Sequence, residues 1–155
     1  MAPRRLLVSV DDSESSERMV KYVREELYRP NDEIHIIHVI PRLHASLAFG
    51  APTVDMLTMP DPASTEELIR EAEKVLVARA LCYLDGLDPC PVVHLVKNEM
   101  DTDSIGQAIC AKALELEASL VVLAKRSKSK LQQLFLGSVS SYCVGHCALP
   151  VLVHG

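Results

Sequence analysis

The chain has 155 residues, a formal net charge of −5, and 48% apolar against 24% charged residues. Those figures fit one soluble globular domain, 1–155, with enough chain to bury a core. They exclude a disordered chain, which would be poorer in Leu, Ile and Val, and a membrane helix, which needs roughly 20 consecutive apolar residues.

The charge is unevenly placed. All 21 acids lie at or before Glu117, whereas four bases, Lys125, Arg126, Lys128 and Lys130, crowd together beyond it. A local basic loop on an acidic chain points to an anion met at one place, and against the basic face of a nucleic-acid binder. Met1–Arg5 has no apolar signal region, so a cytoplasmic or nuclear location away from membranes is expected. The five cysteines, four of them (Cys82, Cys110, Cys143, Cys147) in apolar or helical patterns, are expected as reduced thiols.

Leu6 to Val10 is a short apolar run bounded by Pro3 and Asp11, which predicts a buried first strand. Ser13, with Ser16 and Glu17, starts a helix that carries Met19, Val20, Val23 and Leu27 at helical spacing and stops at Pro30-Asn31-Asp32. Ile34 to Ile40 is a second strand, ended by Pro41. Residues 41–63 hold four prolines and Gly50 yet also Leu43, Leu47, Phe49, Met56, Leu57 and Met59, so a long loop that packs on its own domain or a partner is expected.

Ser64 or Thr65 caps the next helix, with Glu66 and Glu67 in its first turn. Pro91 to Val96 is a third strand, and Thr102 or Asp103 caps a third helix bearing Ile105, Ala108, Ile109, Ala113 and Leu116. Leu120 to Ala124 is a continuous apolar run, as in a parallel strand covered on both faces. After the basic loop come a short helix from Gly137 to Cys147 and a strand from Pro150 to Val153.

Strict alternation of strand and helix predicts an α/β fold, a five-stranded parallel sheet with right-handed crossovers and helices on both faces. The common order for such a sheet, 3-2-1-4-5, opens a ligand crevice between strands 1 and 4. Asp11-Asp12 ends strand 1 there; Ala124 to Lys130 follows strand 4 and leads to Gly137-Ser138-Val139-Ser140 at a helix start. Acids facing a basic loop and a helix N-terminus suit a ligand with hydroxyls or amines at one end and phosphate at the other. Gly137-Ser138 also suits a plain helix cap, with Ser138 satisfying open N–H groups.

Gly137 to Val144 followed by Leu149 to Val153, with Leu6 to Ser16 and His38-Val39-Ile40, resembles the universal stress protein family across the whole chain. Nucleotide-binding members carry Gly-x2-Gly-x9-Gly-(Ser/Thr) after strand 4. Here Gly137 and Ser138 match, while Ala124 and Ser127 replace the two upstream glycines. The resemblance implies that Asp11 meets the adenosine part and the backbone of Val39 flanks adenine. It implies that Ala124, Ser127, Gly137, Ser138, Val139 and Ser140 surround the phosphates, with Arg126 between the two replaced positions. The implied ligand is ATP or AMP, with Mg²⁺ accompanying ATP and little or no turnover. The implied partner is a second copy of the chain, paired through the last strand at 149–154. A stress protein of the same fold that binds no nucleotide and acts through its dimer surface is the alternative.

Other chemistries lack their residues. Cys143 and Cys147 lie four apart near His146, but no second Cys/His pair completes four ligands, so no structural metal is expected. His35, His38 and His94 sit in strand patterns and are expected as half-buried side chains. No G-x-S-x-G turn, Walker lysine or activated nucleophile is present, so no catalytic residue is assigned. A phosphoacceptor domain of the same fold needs an Asp ending strand 3, where this chain has Val96-Lys97-Asn98.

Overall fold

Strands and helices alternate along the chain in the computed structural model, which describes residues 3–41, 62–125 and 137–155. They are β1 (Arg5–Ser9), α1 (Glu14–Tyr22), β2 (Glu33–Pro41), α2 (Pro62–Arg79), β3 (Val92–Asn98), α3 (Thr102–Glu115), β4 (Leu120–Ala124), α4 (Ser138–His146) and β5 (Val151–His154). The strands form one parallel sheet in the order β3-β2-β1-β4-β5. The expected α/β architecture and strand order are thus both present, and the long segment expected over 41–63 lies almost wholly outside the described residues.

β1 holds the centre because both its faces are covered. Leu6, Leu7 and Val8 are fully buried, with Leu6 opposite Ile34 and Leu120. Successive side chains along a strand point to opposite faces, so the core divides in two. On one face Val8, Ile34, Ile36 and Val122 pack against Met19 and Val20 of α1, Val23 just after it, and Leu76 of α2. On the other, Leu7, Ile37, Val121 and Leu123 pack against Ile109 and Ala113 of α3 and Cys143 of α4. Each such side chain contributes about 1.5–3 kcal/mol by leaving water.

Ser13 caps α1 as expected, its hydroxyl accepting from the Ser16 N–H at 3.1 Å. Two other expected caps shift. α3 is capped by Asp101, whose carboxylate accepts from the Ser104 N–H at 2.9 Å, one residue before the expected Thr102 or Asp103. The Ser104 hydroxyl first, and then that N–H, hold the Asp101 carboxyl below its usual range. α2 begins at Pro62, so Ser64 and Thr65 are helical residues and Glu66 and Glu67 lie past the first turn. Proline suits a first helical position, where its missing N–H has no partner to lose.

One carboxylate ties the helices of the first face together. Glu17 accepts from the Tyr83 hydroxyl at 2.6 Å, from Lys21 Nζ at 2.9 Å and from the Arg79 guanidinium at 2.9 Å. These bonds, Tyr83's first, bring the Glu17 carboxyl down to about 2. Arg79 also reaches Asp12 at 3.2 Å, which turns Asp12 toward α2.

The expectation of five reduced thiols fails. Cys110 of α3 and Cys147, the residue that caps the end of α4, form a disulfide, with Cα atoms 5.2 Å apart. That separation lies in the normal range for a bridge. Cys82, Cys90 and Cys143 are free. A pairing between two different elements cannot be deduced from cysteine spacing.

His35 and His94 meet between β2 and β3, with His35 Nδ1 and His94 Nε2 3.0 Å apart. Burial lowers the pKa of both rings, so each is held toward its neutral form and one ring N–H serves the other's lone pair. This matches the expectation of half-buried strand histidines.

Candidate functional site

A cleft opens beyond the carboxyl ends of β1 and β4, at the place where the strand order reverses. Its volume is about 160 Å³, roughly ten times what one water needs. Asp11, Val39, Ala124, Gly137, Ser138, Val139 and Ser140 all line it. Of the residues expected at the site, Arg126 and Ser127 lie outside the described residues, as do Lys128 and Lys130 of the basic loop.

Asp11 sits where the chain leaves β1 for α1. Its Oδ1 accepts from the hydroxyls of Ser13 and Ser16, the latter at 2.8 Å, and its N–H donates to the Ser16 hydroxyl at 3.0 Å. The carboxylate is therefore fixed in place by the first turn of α1. On the neighbouring strand, His38 Nδ1–H donates to the Val10 carbonyl at 2.7 Å, which locks the end of β2 against the end of β1 beside Val39.

Ala124 ends β4 in extended backbone, so this replaced glycine position is one an L-residue adopts without strain. The Ser140 hydroxyl donates to the Ala124 carbonyl at 3.3 Å and fastens the first turn of α4 to the strand end. Gly137 is the N-cap of α4, with φ −60° and ψ 154°, and it offers no side chain to the helix. The first N–H groups of α4, on Ser138, Val139 and Ser140, have no carbonyl partner within the helix. Ser138 is the first helical residue, and its Oγ accepts from the Thr102 hydroxyl at 3.1 Å. The reading of Ser138 as the cap is thereby replaced: the hydroxyl serves α3, and among the described residues no side chain caps the helix N-terminus, which lies at the cleft. N–H groups and dipole there favour an anion.

The rest of the wall comes from residues that sequence reasoning passed over: Ser9, Val10, Ser16, His38, Met100, Ile105 and Leu123. Val10 and Leu123 adjoin Asp11 and Ala124, and His38 precedes Val39, so adjacency to an expected site residue was their signal. Met100 and Ile105 come from the turn into α3, whose place over the cleft follows only from packing. With Val39 they add apolar lining to the cleft, whose polar donors come from the start of α4. Apolar lining suits a flat heteroaromatic group, and helix N–H groups suit an anion.

Comparison with known proteins bears on family and fold. A profile described as the universal stress protein family matches residues 3–154. The universal stress protein PHOS32 of Arabidopsis thaliana is 30% identical over 163 aligned positions, covering 98% of this chain and 64% of that protein. The chain thus spans under two thirds of that relative's length. A universal stress protein structure from Archaeoglobus fulgidus superposes with a TM-score of 0.66 at 19% identity, covering 99% of this chain and 98% of that one. A second from the same organism, described as in complex with dAMP, gives 0.62 at 20% identity over 99% and 98%. These two likenesses are of fold.

Proposed function

We propose, from the premise that this chain belongs to the universal stress protein family, that its cleft binds an adenine nucleotide, ATP or AMP, with little or no turnover. The observation that carries this is the N-terminus of α4, without a side-chain cap among the described residues, in the wall of a cleft that apolar side chains also line. Adenine lies against Val39 and Ile105, the ribose meets Asp11, and the phosphates take the N–H groups of Ser138, Val139 and Ser140. Arg126 and Ser127 belong to this reading as phosphate contacts, and Mg²⁺ as a companion of ATP. Nucleotide complexes of relatives support it: the Archaeoglobus protein is described with dAMP.

Calorimetric titration with ATP and AMP tests the reading, and Ser138→Asp sharpens it. A carboxylate in the first turn favours the helix dipole by about 0.3–1 kcal/mol but repels phosphate. The expected result is an unchanged or raised melting temperature with nucleotide affinity down roughly tenfold, about 1.4 kcal/mol. Equal affinity in Ser138→Asp would place the phosphates elsewhere. No heat at millimolar nucleotide would instead select the non-nucleotide interaction protein, a reading favoured by the two hydroxyls already held by the Asp11 carboxylate.

The proposal includes a homodimer through 149–154. β5 is an edge strand, and its half-buried Val151, Leu152 and Val153 form the kind of apolar edge that stays soluble by pairing. Light scattering at micromolar concentration is expected to give twice the chain mass; a monomer removes this part.

A further inference from the structure

The side of α3 and α4 away from the cleft carries a sulfur cluster that the proposed function does not use. The Sγ atoms of Cys110, Cys143 and Cys147 all lie within 4.8 Å of one another. Two of them form the disulfide; the third, Cys143, is wholly buried among apolar side chains. Its S–H points to the Gly106 carbonyl at 3.9 Å, a weak bond at most. Burial raises its thiol to about 11. Cys110 and Cys147 are half-buried, which leaves a way in from solvent.

We propose that, once the Cys110–Cys147 bond is reduced, Cys110, Cys143 and Cys147 form a three-sulfur site for a soft monovalent cation, Cu(I).

Geometry allows it. Metal–sulfur bonds of about 2.3 Å put three sulfurs around one ion about 4 Å apart; all three lie within 4.8 Å of one another here, and reduction frees the bonded Cys110–Cys147 pair to part to that spacing. The donor set then selects the ion. Among the described residues no fourth Cys, His, Asp or Glu joins the three sulfurs. His146, the nearest in sequence, is exposed, hydrogen-bonded through Nδ1 to the Tyr142 carbonyl at 2.9 Å and stacked on the Tyr142 ring. Structural zinc takes four ligands, whereas all-thiolate sites suit Cu(I).

The chemistry balances in two steps. A dithiol reductant gives two electrons and two protons to the Cys110–Cys147 bond, leaving two thiols, and is itself oxidised to a disulfide. Cu(I) then displaces thiol protons to solvent and bonds to the sulfurs without changing its own oxidation state. Because protons leave, affinity falls as pH falls. The disulfide and the ion exclude one another.

The test uses the full chain, reduced and desalted without oxygen, with Cu(I) supplied from a bathocuproine chelate. The expected result is one copper per chain, with sulfur-to-copper absorption in the near ultraviolet, and none for the disulfide form. Cys143→Ser, which leaves the other pair intact, is expected to weaken uptake by at least about tenfold, the loss that removing a residue supporting a ligand already brings, and Cys82→Ser and Cys90→Ser to leave it unchanged. The proposal is overturned if the reduced chain takes no copper from the chelate. It is equally overturned if Cys143→Ser binds as well as the parent, if Cys82→Ser or Cys90→Ser abolishes uptake, or if circular dichroism shows that reduction unfolds the chain.

Discussion

Reduction of the Cys110–Cys147 bond lowers the melting temperature by about 10 °C. The bridge joins residues 37 apart, and closing such a loop in the unfolded chain is worth about 3–4 kcal/mol on the chain-entropy account. In a domain of this size each kcal/mol moves the midpoint by about 2–4 °C. The folded state keeps most of its contacts on reduction, because α3 and α4 are also held by Ile109, Ala113 and Cys143 in the core. The check is paired: thiol titration of denatured protein, three thiols before reduction against all five after, and thermal melts of the same two samples. An unmoved midpoint with five thiols titrating would mean that the bridge adds nothing to packing. Cys110→Ala with Cys147→Ala repeats the measurement without reductant.

The second large effect has a sign that packing decides. Gly106 lies inside α3, where Gly→Ala ordinarily stabilises by about 1 kcal/mol. Here a Cβ would sit 2.2 Å from Cδ1 and 2.8 Å from Cγ of Tyr142 on α4. Those atoms are the root of the ring, so the ring or the helix must shift. Overpacking of this kind costs about 1–3 kcal/mol, and a contact this short belongs at the upper end. Gly106→Ala is therefore expected to destabilise by about 2 kcal/mol net. Chemical denaturation of Gly106→Ala, Tyr142→Ala and the double variant gives the coupling. The double variant should recover most of the loss due to Gly106→Ala; recovery of none would refute the clash. Because the same two helices bring Thr102 and Ser138 together, Gly106→Ala should weaken any nucleotide binding too, while leaving the first-face cluster around Glu17 intact.

The architecture was legible because it is written in local patterns. Apolar runs at 6–10, 34–40 and 120–124 became β1, β2 and β4 within a residue or so, since a strand buried on both faces has few other ways to read. The cleft residues Asp11, Ala124 and Gly137–Ser140 were legible because strand ends in a sheet of this order converge on one place, and Val39 only through the family resemblance. What escaped depends on pairs far apart in sequence. The Cys110–Cys147 bridge, the His35–His94 contact and the hold of Tyr83 and Arg79 on Glu17 each join separate elements. No spacing rule encodes which helix packs on which. The caps were missed for a different reason: Asp101, Thr102 and Asp103 are all acceptable caps, and the backbone chooses among them.

Ala124 shows how a family motif can change without losing its geometry. A glycine there would matter if the backbone took a left-handed turn, and it does not. Ala124 lines the cleft beside the start of α4.

The pairing of β1 has a consequence for synthesis on the ribosome. Leu6 finds one neighbour at Ile34 early, but the other, Leu120, lies more than a hundred positions later. The Arg5 N–H likewise waits for the Ser119 hydroxyl. Sheets built from such distant partners fold slowly. Through most of translation the central strand is therefore half-covered, with the apolar side chains Leu6, Leu7 and Val8 open on a flank. A nascent chain cut short before β4 has an exposed edge where the finished protein has its middle, and it has no cleft at all. Chaperone demand should accordingly concentrate in the interval between the emergence of β2 and that of β4.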